Sequence, residues 1–376
     1  MAPGVPVIET PPLVDQYCQG VRREELGLGT FEALLGPGGG APAAGTTFFD
    51  TQTGFALRRW CPPLLGLAPH SPPAHYLARR RELGALETER RLLRGSGTGT
   101  YLVDTGPPLG LTPPGELAAT ADARAREIVR LEQLAEQTAD TVGQRRVLPA
   151  PPRRVRARRR RDRRRLRLRD PALRRVPLLP EPPSPVEVRA AAGAWLAARQ
   201  RPPSSAGPVD PAGPSPLLGA HLLWLALSSG RPLQLRTGES PPEPGALAAF
   251  AAATAGLGTP LVLLPGYPYH RPAARLAGLH AHVHVDLGPA LSGTGARAAG
   301  LLAEFLELAP FGKLLYSSGA RGLPELHVVA ARQFREALRR VLGAWVVEGA
   351  WSARDGERVA GLLGAGNARR VYGLEE

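Results

Sequence analysis

The sequence predicts an α/β fold and, within this class, a TIM-like (β/α)8 barrel. Short apolar runs recur along the 376 residues with helical patterns between them, which is typical of repeated strand–helix units and a parallel sheet. The chain is long enough for a barrel of roughly 250 residues with an insertion and a tail. An open doubly wound sheet is the alternative, but this fold typically carries a glycine-rich phosphate-binding loop after its first strand. The residues that follow Cys18, QGVRREELG, do not supply that loop.

Seven apolar runs predict strands. They are Pro12–Cys18, Thr100–Gly106, Arg126–Leu131, Pro232–Gly238, Pro260–Gly266, His282–Gly288 and Lys313–Gly319. Apolar residues at three- and four-residue spacing predict helices between the strands. These helices are Ala74–Leu93, Ser184–Gln200, Ala296–Leu308 and Leu326–Val347. The interval from Gln133 to Arg231 has room for an eighth strand, but no apolar run identifies one there.

Composition excludes several classes of protein. With 43% hydrophobic and 21% charged residues, the chain can bury a core, so whole-chain disorder and fibrous structure are excluded. Two cysteines, Cys18 and Cys61, cannot build a disulfide framework or a four-thiolate zinc site. The longest apolar stretch, Gly245 to Gly266, is interrupted by glycine and proline, so no membrane span is predicted. The first residues lack the pattern of a secretion signal, and we expect a cytoplasmic location.

The net charge of +14 is concentrated in one segment. Residues 151–175, PPRRVRARRRRDRRRLRLRDPALRR, contain 14 arginines against two aspartates. Such a run could neutralise phosphates, but no aromatic residue lies between Tyr101 and Trp195 to stack on bases, so a nucleic-acid partner is not expected. Two hypotheses about this segment stay open. It is a solvated, disordered insertion, or it is the product of a shifted reading frame in GC-rich DNA.

These patterns divide the chain into three parts. Residues 1–142 form the first part of the barrel, with strands one to three and an insertion at about 30–70. Residues 143–183 form the Arg/Pro-rich basic segment, which we expect to be disordered and to disrupt the region of the fourth strand. Residues 184–376 form the second part, with strands five to eight and a C-terminal helical tail.

Several long phrases resemble the amidohydrolase superfamily, specifically its amidohydrolase-2 (amidohydrolase-related) branch, which includes a domain fused to glutamine-synthetase-like proteins. They are LVDQYCQGV (13–21), TGFALRRWCPPLLGL (53–67), LVDTG (102–106), IVRLEQLAE (128–136), AHLLWLAL (220–227), LLPGYPYHRPAARLA (263–277), VHVDLGPAL (283–291), APFGKLLYSSGARGLPELH (309–327) and NARRVYGL (367–374). The resemblance implies a barrel of the metal-dependent hydrolase type. It also implies hydrolysis of amide or other C–N bonds with a divalent metal, zinc, as cofactor.

The positions at which the family carries its metal ligands depart from the family's pattern. The resemblance implies a His-x-His pair where this chain has Tyr17 and Gln19, histidines where it has Arg236 and Pro265, and an aspartate where it has Gly319. Proline and glycine have no side-chain donor atom, and arginine is permanently protonated. We therefore assign no catalytic residue and no metal ligand from the sequence, and we expect zinc not to be bound there. The expected protein is an impaired hydrolase; the alternative is a non-catalytic barrel, a pseudoenzyme, that binds a small carboxylated ligand or a protein partner.

Four residues are candidates for a pocket or ligand-binding site: Asp15, Arg236, His270 and Ser318. Arg236 could neutralise Asp104, Glu132 or Glu239, or clamp a carboxylate or phosphate in bidentate fashion; the alternative is a loop-end residue without a fixed partner. His270 follows the sixth strand and is expected in a substrate pocket or in a structural role. The sequence does not define the substrate or the oligomeric state.

Two further patterns involve histidine and cysteine. His280, His282 and His284 alternate in LHAHVHVD, so on one strand they would share a face and could bind a metal. Cys18 and Cys61 are most simply buried apolar thiols.

Overall fold

A computed structural model of the protein describes residues 8–36, 39–107, 110–147, 165–168, 176–199, 214–238 and 244–375. Its strands have the same order in the sheet as in the chain, and the pairs β1–β2, β3–β4, β4–β5 and β7–β8 are parallel. The strands are β1 Leu13–Cys18, β2 Thr98–Asp104, β3 Arg124–Arg130, β4 Arg165–Leu168, β5 Leu233–Gly238, β6 Leu261–Pro265, β7 Val283–Asp286 and β8 Leu314–Leu315. The predicted α/β class is confirmed, and a strand lies within or across each of the seven predicted segments, although β8 comprises only two residues of the predicted Lys313–Gly319.

Helices alternate with these strands. They are α1 Leu28–Leu35, α2 Gln52–Leu64, α3 Pro73–Leu83, α4 Ala85–Gly95, α5 Pro114–Ala121, α6 Leu131–Val147, α7 Pro185–Arg199, α8 Pro216–Ser228, α9 Pro244–Thr254, α10 His270–Leu279, α11 Gly288–Ser292, α12 Ala298–Leu308, α13 Pro324–Val347, α14 Ala353–Gly361 and α15 Asn367–Tyr372. The predicted helix Ala74–Leu93 is two helices, because Gly84 adopts a φ of 76° between them and glycine reaches this region without steric cost.

A fourth strand lies inside the basic segment. β4 pairs with β3 at one side and with β5 at the other, although no apolar run predicts it. Its sequence, Arg-Leu-Arg-Leu, does alternate charged and apolar residues, which is the period-two pattern of a strand. The expectation of disorder for the rest of this segment falls mainly on residues 148–164 and 169–175, outside the described residues.

The chain divides into two compact units. The first comprises Met1–Glu127, Leu264–Leu279 and His284–Glu376, and the second comprises Ile128–Leu263 and His280–Val283. In the first unit β1 is paired on both sides. It pairs with β2, and the Gln16 and Gln19 amides donate to the carbonyl oxygens of Tyr316 and Ala320, at 3.1 and 2.8 Å, in the segment after β8.

The helices between β1 and β2 pack as a layer of the first unit, and α1 and α2 among them lie within or beside the predicted insertion at about 30–70. Residues of α1 to α4 form one apolar cluster with the start of α13, and the Phe31 and Phe49 rings stack within it at 5.6 Å. Burying a side chain of this size contributes about 2–3 kcal/mol of transfer free energy. At the other end of the chain, Asn367 Nδ2 donates to the carbonyl oxygens of Phe311 and Leu314 at 2.7 and 2.8 Å. The C-terminal helical tail is thereby fixed to the start of β8.

The second unit is held by strand pairing and by contacts of α8. The Leu233 and Leu261 amides donate to the carbonyl oxygens of Pro260 and His282, both at 2.9 Å. The Trp224 indole of α8 packs edge-on against Phe250 of α9 at 6.0 Å. Among the helices of the described ranges, none combines the length and the apolar character needed to span a membrane.

Candidate functional site

Asp15 and Ser318, both predicted as site residues, lie in contact in the first unit. Asp15 is in β1 and fully buried, and Ser318 follows β8. The Ser318 amide donates to Asp15 Oδ1 at 2.8 Å, and its hydroxyl donates to Oδ2 at 2.5 Å. The Tyr17 amide donates to Oδ1 as well, at 3.3 Å. Donors on two neighbouring chain segments therefore fix the orientation of this carboxylate.

Cys18 and His327 complete a buried cluster around Asp15. One ligand atom from each of the three side chains lies within 4.8 Å of those of the other two, and all three residues are buried. His327 is in the first turn of α13, with Nδ1 3.7 Å from Asp15 Oδ2, and its ring packs edge-on against Tyr101 at 5.7 Å. Neither ring nitrogen of His327 has a hydrogen-bond partner.

This cluster was not predicted from the sequence. Asp15 and Cys18 are three residues apart, which on a regular strand places them on opposite faces. The β1–β2 register shifts between these two residues, and such an irregularity re-aims side chains. Burial is the main cause that raises the pKa of the Cys18 thiol well above its ordinary value, and the charges of Asp15 and Asp104 raise it further. The thiol is therefore neutral in this environment, and it lies 3.7 Å from the Leu102 carbonyl oxygen as a weak donor.

Tyr17 and Gln19, where the resemblance implies metal ligands in the first strand, are engaged in internal contacts. Gln19 Nε2 donates to Asp104 Oδ2 at 3.3 Å and to the Pro107 carbonyl oxygen at 3.2 Å. Tyr17 is 4% exposed, and its carbonyl oxygen accepts the Gly319 amide at 3.0 Å. Gly319 itself has a φ of 61° and brings no donor side chain. These residues do not fit the family's metal, because they supply neither the imidazoles nor the carboxylate that zinc requires.

Pro265 and Arg236, where the resemblance implies histidine ligands, cannot bind a metal ion either. Pro265 is the last residue of β6 and offers no ligand atom. Arg236 is half-buried in β5, in the second unit, and carries a permanent positive charge. Of the acidic partners considered for Arg236, Glu239 lies outside the described residues.

His270 belongs to a different group of charges. It begins α10, is 3% exposed, and its Nε2 lies 2.6 Å from Glu304 Oε2. Arg271 Nε donates to the same oxygen at 2.8 Å. The Arg271 hydrogen bond, followed by that of His270, lowers the pKa of Glu304 to about 2. The His270 ring also packs on Tyr267 and Phe305, so its observed contacts are those of a residue that joins α10 to α12.

A surface cavity of about 400 Å³ borders this ion pair. It is lined by Arg271, Pro272, Arg275, Glu304, Glu307 and Leu308. His270 does not line it, and none of the candidate pocket residues does.

A second buried carboxylate, Asp286, ends β7. Ser317 Oγ donates to its Oδ2 at 2.7 Å. Burial raises the pKa of Asp286 to about 7, against the lowering effect of hydrogen bonds from Ser317, Gln16 and the Gly288 amide. The Tyr372 hydroxyl of the C-terminal tail donates in turn to Gln16 Oε1. This residue was not predicted as a site residue, although an aspartate at the end of an apolar strand is a recognisable signal.

The three alternating histidines do not share a strand face. β7 begins at Val283, so His280 and His282 precede it and only His284 lies in it. His282 Nε2 is 3.1 Å from Thr254 Oγ1 at the end of α9, a structural contact. Over the described ranges, the side chains that come close enough together to hold a metal ion are those of Asp15, Cys18 and His327.

Known proteins show a limited sequence match to this chain and an extensive structural likeness. No protein-family model matches the chain. Protein fluG of Emericella nidulans is 33% identical over 117 residues, which are 31% of this chain and 14% of fluG. The chain therefore matches far less than two thirds of that relative's length.

Three solved structures resemble nearly the whole chain. A protein provisionally described as a metal-dependent hydrolase from Lactobacillus casei is 20% identical, with a TM-score of 0.71 and coverage of 97% of this chain and 96% of that one. A uronate isomerase from Bacillus halodurans is 11% identical, with a TM-score of 0.59 and coverage of 98% and 95%. A glucuronate isomerase from Caulobacter crescentus is 13% identical, with a TM-score of 0.61 and coverage of 98% and 93%. The chain thus has the fold that these three structures share, a TIM-like α/β architecture, and these likenesses establish the fold alone.

Proposed function

We propose that this protein is an amidohydrolase-related protein, by resemblance a hydrolase of amide or other C–N bonds, in which the standard metal-dependent activity is impaired. The observation that supports this proposal most strongly is the position of Gln19. Its amide nitrogen is directed at Asp104 and at the Pro107 carbonyl oxygen, where the family's pattern has an imidazole for the metal.

The chemistry explains why these replacements impair hydrolysis. Metal-dependent hydrolysis requires a bound cation that lowers the pKa of a water molecule and a carboxylate that orients or deprotonates that water. Tyr17 and Gln19 are weak ligands for zinc compared with two imidazoles. Gly319 has no side chain to orient the water. We therefore derive no catalytic step through a metal at these positions.

The test is hydrolysis of a panel of N-acyl amino acids and cyclic amides by the wild-type protein, with zinc or manganese added. We expect rates equal to those of the metal-containing buffer alone. A matched variant, Gln19→Ala, should behave identically to wild type. Hydrolysis that requires added metal and is lost in Gln19→Ala would contradict the proposal.

A second candidate function is the non-catalytic binding of a small carboxylated ligand. Arg236 supports this candidate, because a half-buried guanidinium in the second half of β5 can clamp a carboxylate in bidentate geometry. Calorimetric titration with a panel of mono- and dicarboxylates should detect binding that Arg236→Lys weakens and Arg236→Ala abolishes. Affinities that do not change in Arg236→Ala would exclude this role. We also propose a cytoplasmic location, which the two free, buried cysteines support.

A further inference from the structure

We infer that Asp15, Cys18 and His327 form a buried zinc-binding site. None of the three occupies a position at which the resemblance implies a metal ligand, and the inference does not rest on the proposed function. The cluster lies beneath the first turn of α13, in the first unit.

The ligand types favour zinc. Carboxylate, thiolate and imidazole are the three side-chain groups that zinc binds in proteins. When the thiol gives up its proton, the charges of Zn²⁺, Asp15 carboxylate and Cys18 thiolate sum to zero around a neutral imidazole. A buried ion group without net charge avoids the large desolvation cost of an isolated charge. The observed hydrogen-bond donors to the Asp15 carboxylate are amides, a hydroxyl and the Cys18 thiol, which carry no charge. A zinc ion would supply the positive charge.

The His327 side chain carries the strongest evidence. It is 1% exposed, and Nδ1 and Nε2 both lack a hydrogen-bond partner. A buried polar group that forms no hydrogen bond costs about 1–3 kcal/mol, and buried histidines normally have partners. Nδ1 faces Asp15 Oδ2 at 3.7 Å, which is too long for a hydrogen bond. A cation between these two atoms would give Nδ1 a partner and Oδ2 a second one.

Hydrogen bonds orient the Asp15 carboxylate, as they orient carboxylates that bind metals. Metal ligands are characteristically oriented by hydrogen bonds from their surroundings. Oδ1 accepts two amides, from Ser318 and Tyr17, and Oδ2 accepts the Ser318 hydroxyl. These hydrogen bonds fix the orientation of the carboxylate, and the Cys18 thiol also hydrogen-bonds to it, a contact that the ion would replace when the thiol loses its proton. The Ser318 hydroxyl is a candidate for the fourth position.

The spacing is compatible with zinc after a small contraction. Bonds of about 2.0–2.1 Å to nitrogen and oxygen and about 2.3 Å to sulfur place tetrahedral ligand atoms roughly 3.3–3.6 Å apart. The separation of 3.7 Å between Nδ1 and Oδ2 is already close to this range. The whole set lies within 4.8 Å, so the thiol must approach by about 1.2 Å at most. The rotation of one side chain about χ1 can supply that movement.

The first test uses the wild-type protein, produced in zinc-containing medium and dialysed against a chelator. Elemental analysis should give one zinc per chain, and X-ray absorption at the zinc edge should show a single sulfur neighbour with nitrogen or oxygen neighbours. Absence of zinc would overturn the inference and leave the proposed function intact. Zinc with only nitrogen and oxygen neighbours would overturn the inference and would also speak against the proposed function.

The second test uses substitutions with matched controls. Cys18→Ser and His327→Gln should each reduce bound zinc from about one to less than about 0.1 per chain, because two remaining ligands hold the ion too weakly. Cys61→Ser, which changes the other buried thiol, and His282→Gln, which changes another buried histidine, should retain it. Full zinc retention in folded Cys18→Ser would overturn the assignment. If a variant fails to fold, the wild-type protein is loaded with cobalt in place of zinc. We expect a thiolate-to-cobalt charge-transfer band in its absorption spectrum. Absence of this band would contradict Cys18 as a ligand.

Discussion

Asp286 makes the stability of this protein depend on pH in a specific way. The carboxyl is fully buried, and burial raises its pKa from the ordinary 3.8 to about 7. An acid whose pKa is higher in the folded state than in the unfolded state favours folding when it is protonated. Its stabilising contribution is therefore complete below about pH 4 and is lost as the pH rises through about 7.

The size of this effect follows from the pKa difference. Three pKa units, at about 1.4 kcal/mol each, correspond to about 4 kcal/mol between pH 4 and pH 7. Asp286→Asn keeps the shape of the side chain and an oxygen to accept the Ser317 hydroxyl, but it does not titrate. The unfolding free energy of this variant, relative to wild type, should therefore rise by about 4 kcal/mol across this pH interval.

Urea-induced unfolding, followed by circular dichroism at several pH values from about 4 to 8, measures this difference directly. Asp50→Asn, at an exposed position, is the control and should run parallel to wild type. If the Asp286→Asn and wild-type curves are also parallel, the carboxyl is ionised at the same pH in both states and the reasoning is refuted.

Three further substitutions test the packing and the ion pairs. Gly20→Ala should unfold the protein or destabilise it severely, because an added Cβ would lie 2.1 Å from the Thr112 carbonyl oxygen. The control is Gly115→Ala, whose added Cβ meets nothing within 4 Å. Equal melting temperatures of the two variants would contradict this prediction. Asn367→Ala removes two hydrogen bonds from the C-terminal tail and should lower the unfolding free energy by about 2 kcal/mol; a change near zero in urea titrations would show that the tail is held by other contacts. Glu304 has its pKa lowered to about 2 by its arginine and histidine partners; it stabilises the fold above about pH 4.5, and this contribution is lost as the pH falls toward 2. Glu304→Gln should flatten the loss of stability in that acidic interval, and an unchanged acid profile would contradict the ion pair.

Strands were predictable where burial on both faces imposes a continuous apolar run. LVLLP in β6 is such a run, and its five residues are buried. β4 lacks this signal, because its arginines interrupt the apolar residues and its charged surroundings favour an interpretation as disorder. The weaker alternation of Arg-Leu-Arg-Leu at 165–168 is the pattern that identifies it.

The candidate site was predictable only in part. Asp15 and Ser318 stand in recognisable phrases at strand ends, and they are in contact although 303 positions separate them. His327 could not be placed from its own neighbourhood, because its approach to Asp15 joins α13 to β1, at opposite ends of the sequence. Cys18 joins the cluster through a register shift that a period-two pattern does not reveal. His270, by contrast, has a clear local signal but takes its partner from α12.

The most direct test of the proposed loss of standard metal chemistry is anomalous diffraction at the zinc edge from crystals grown with zinc. We expect no zinc peak next to the side chains of Tyr17 and Gln19. A peak within bonding distance of either side chain, about 2.0–2.3 Å, would show that these positions still hold a metal and would contradict the proposed impairment.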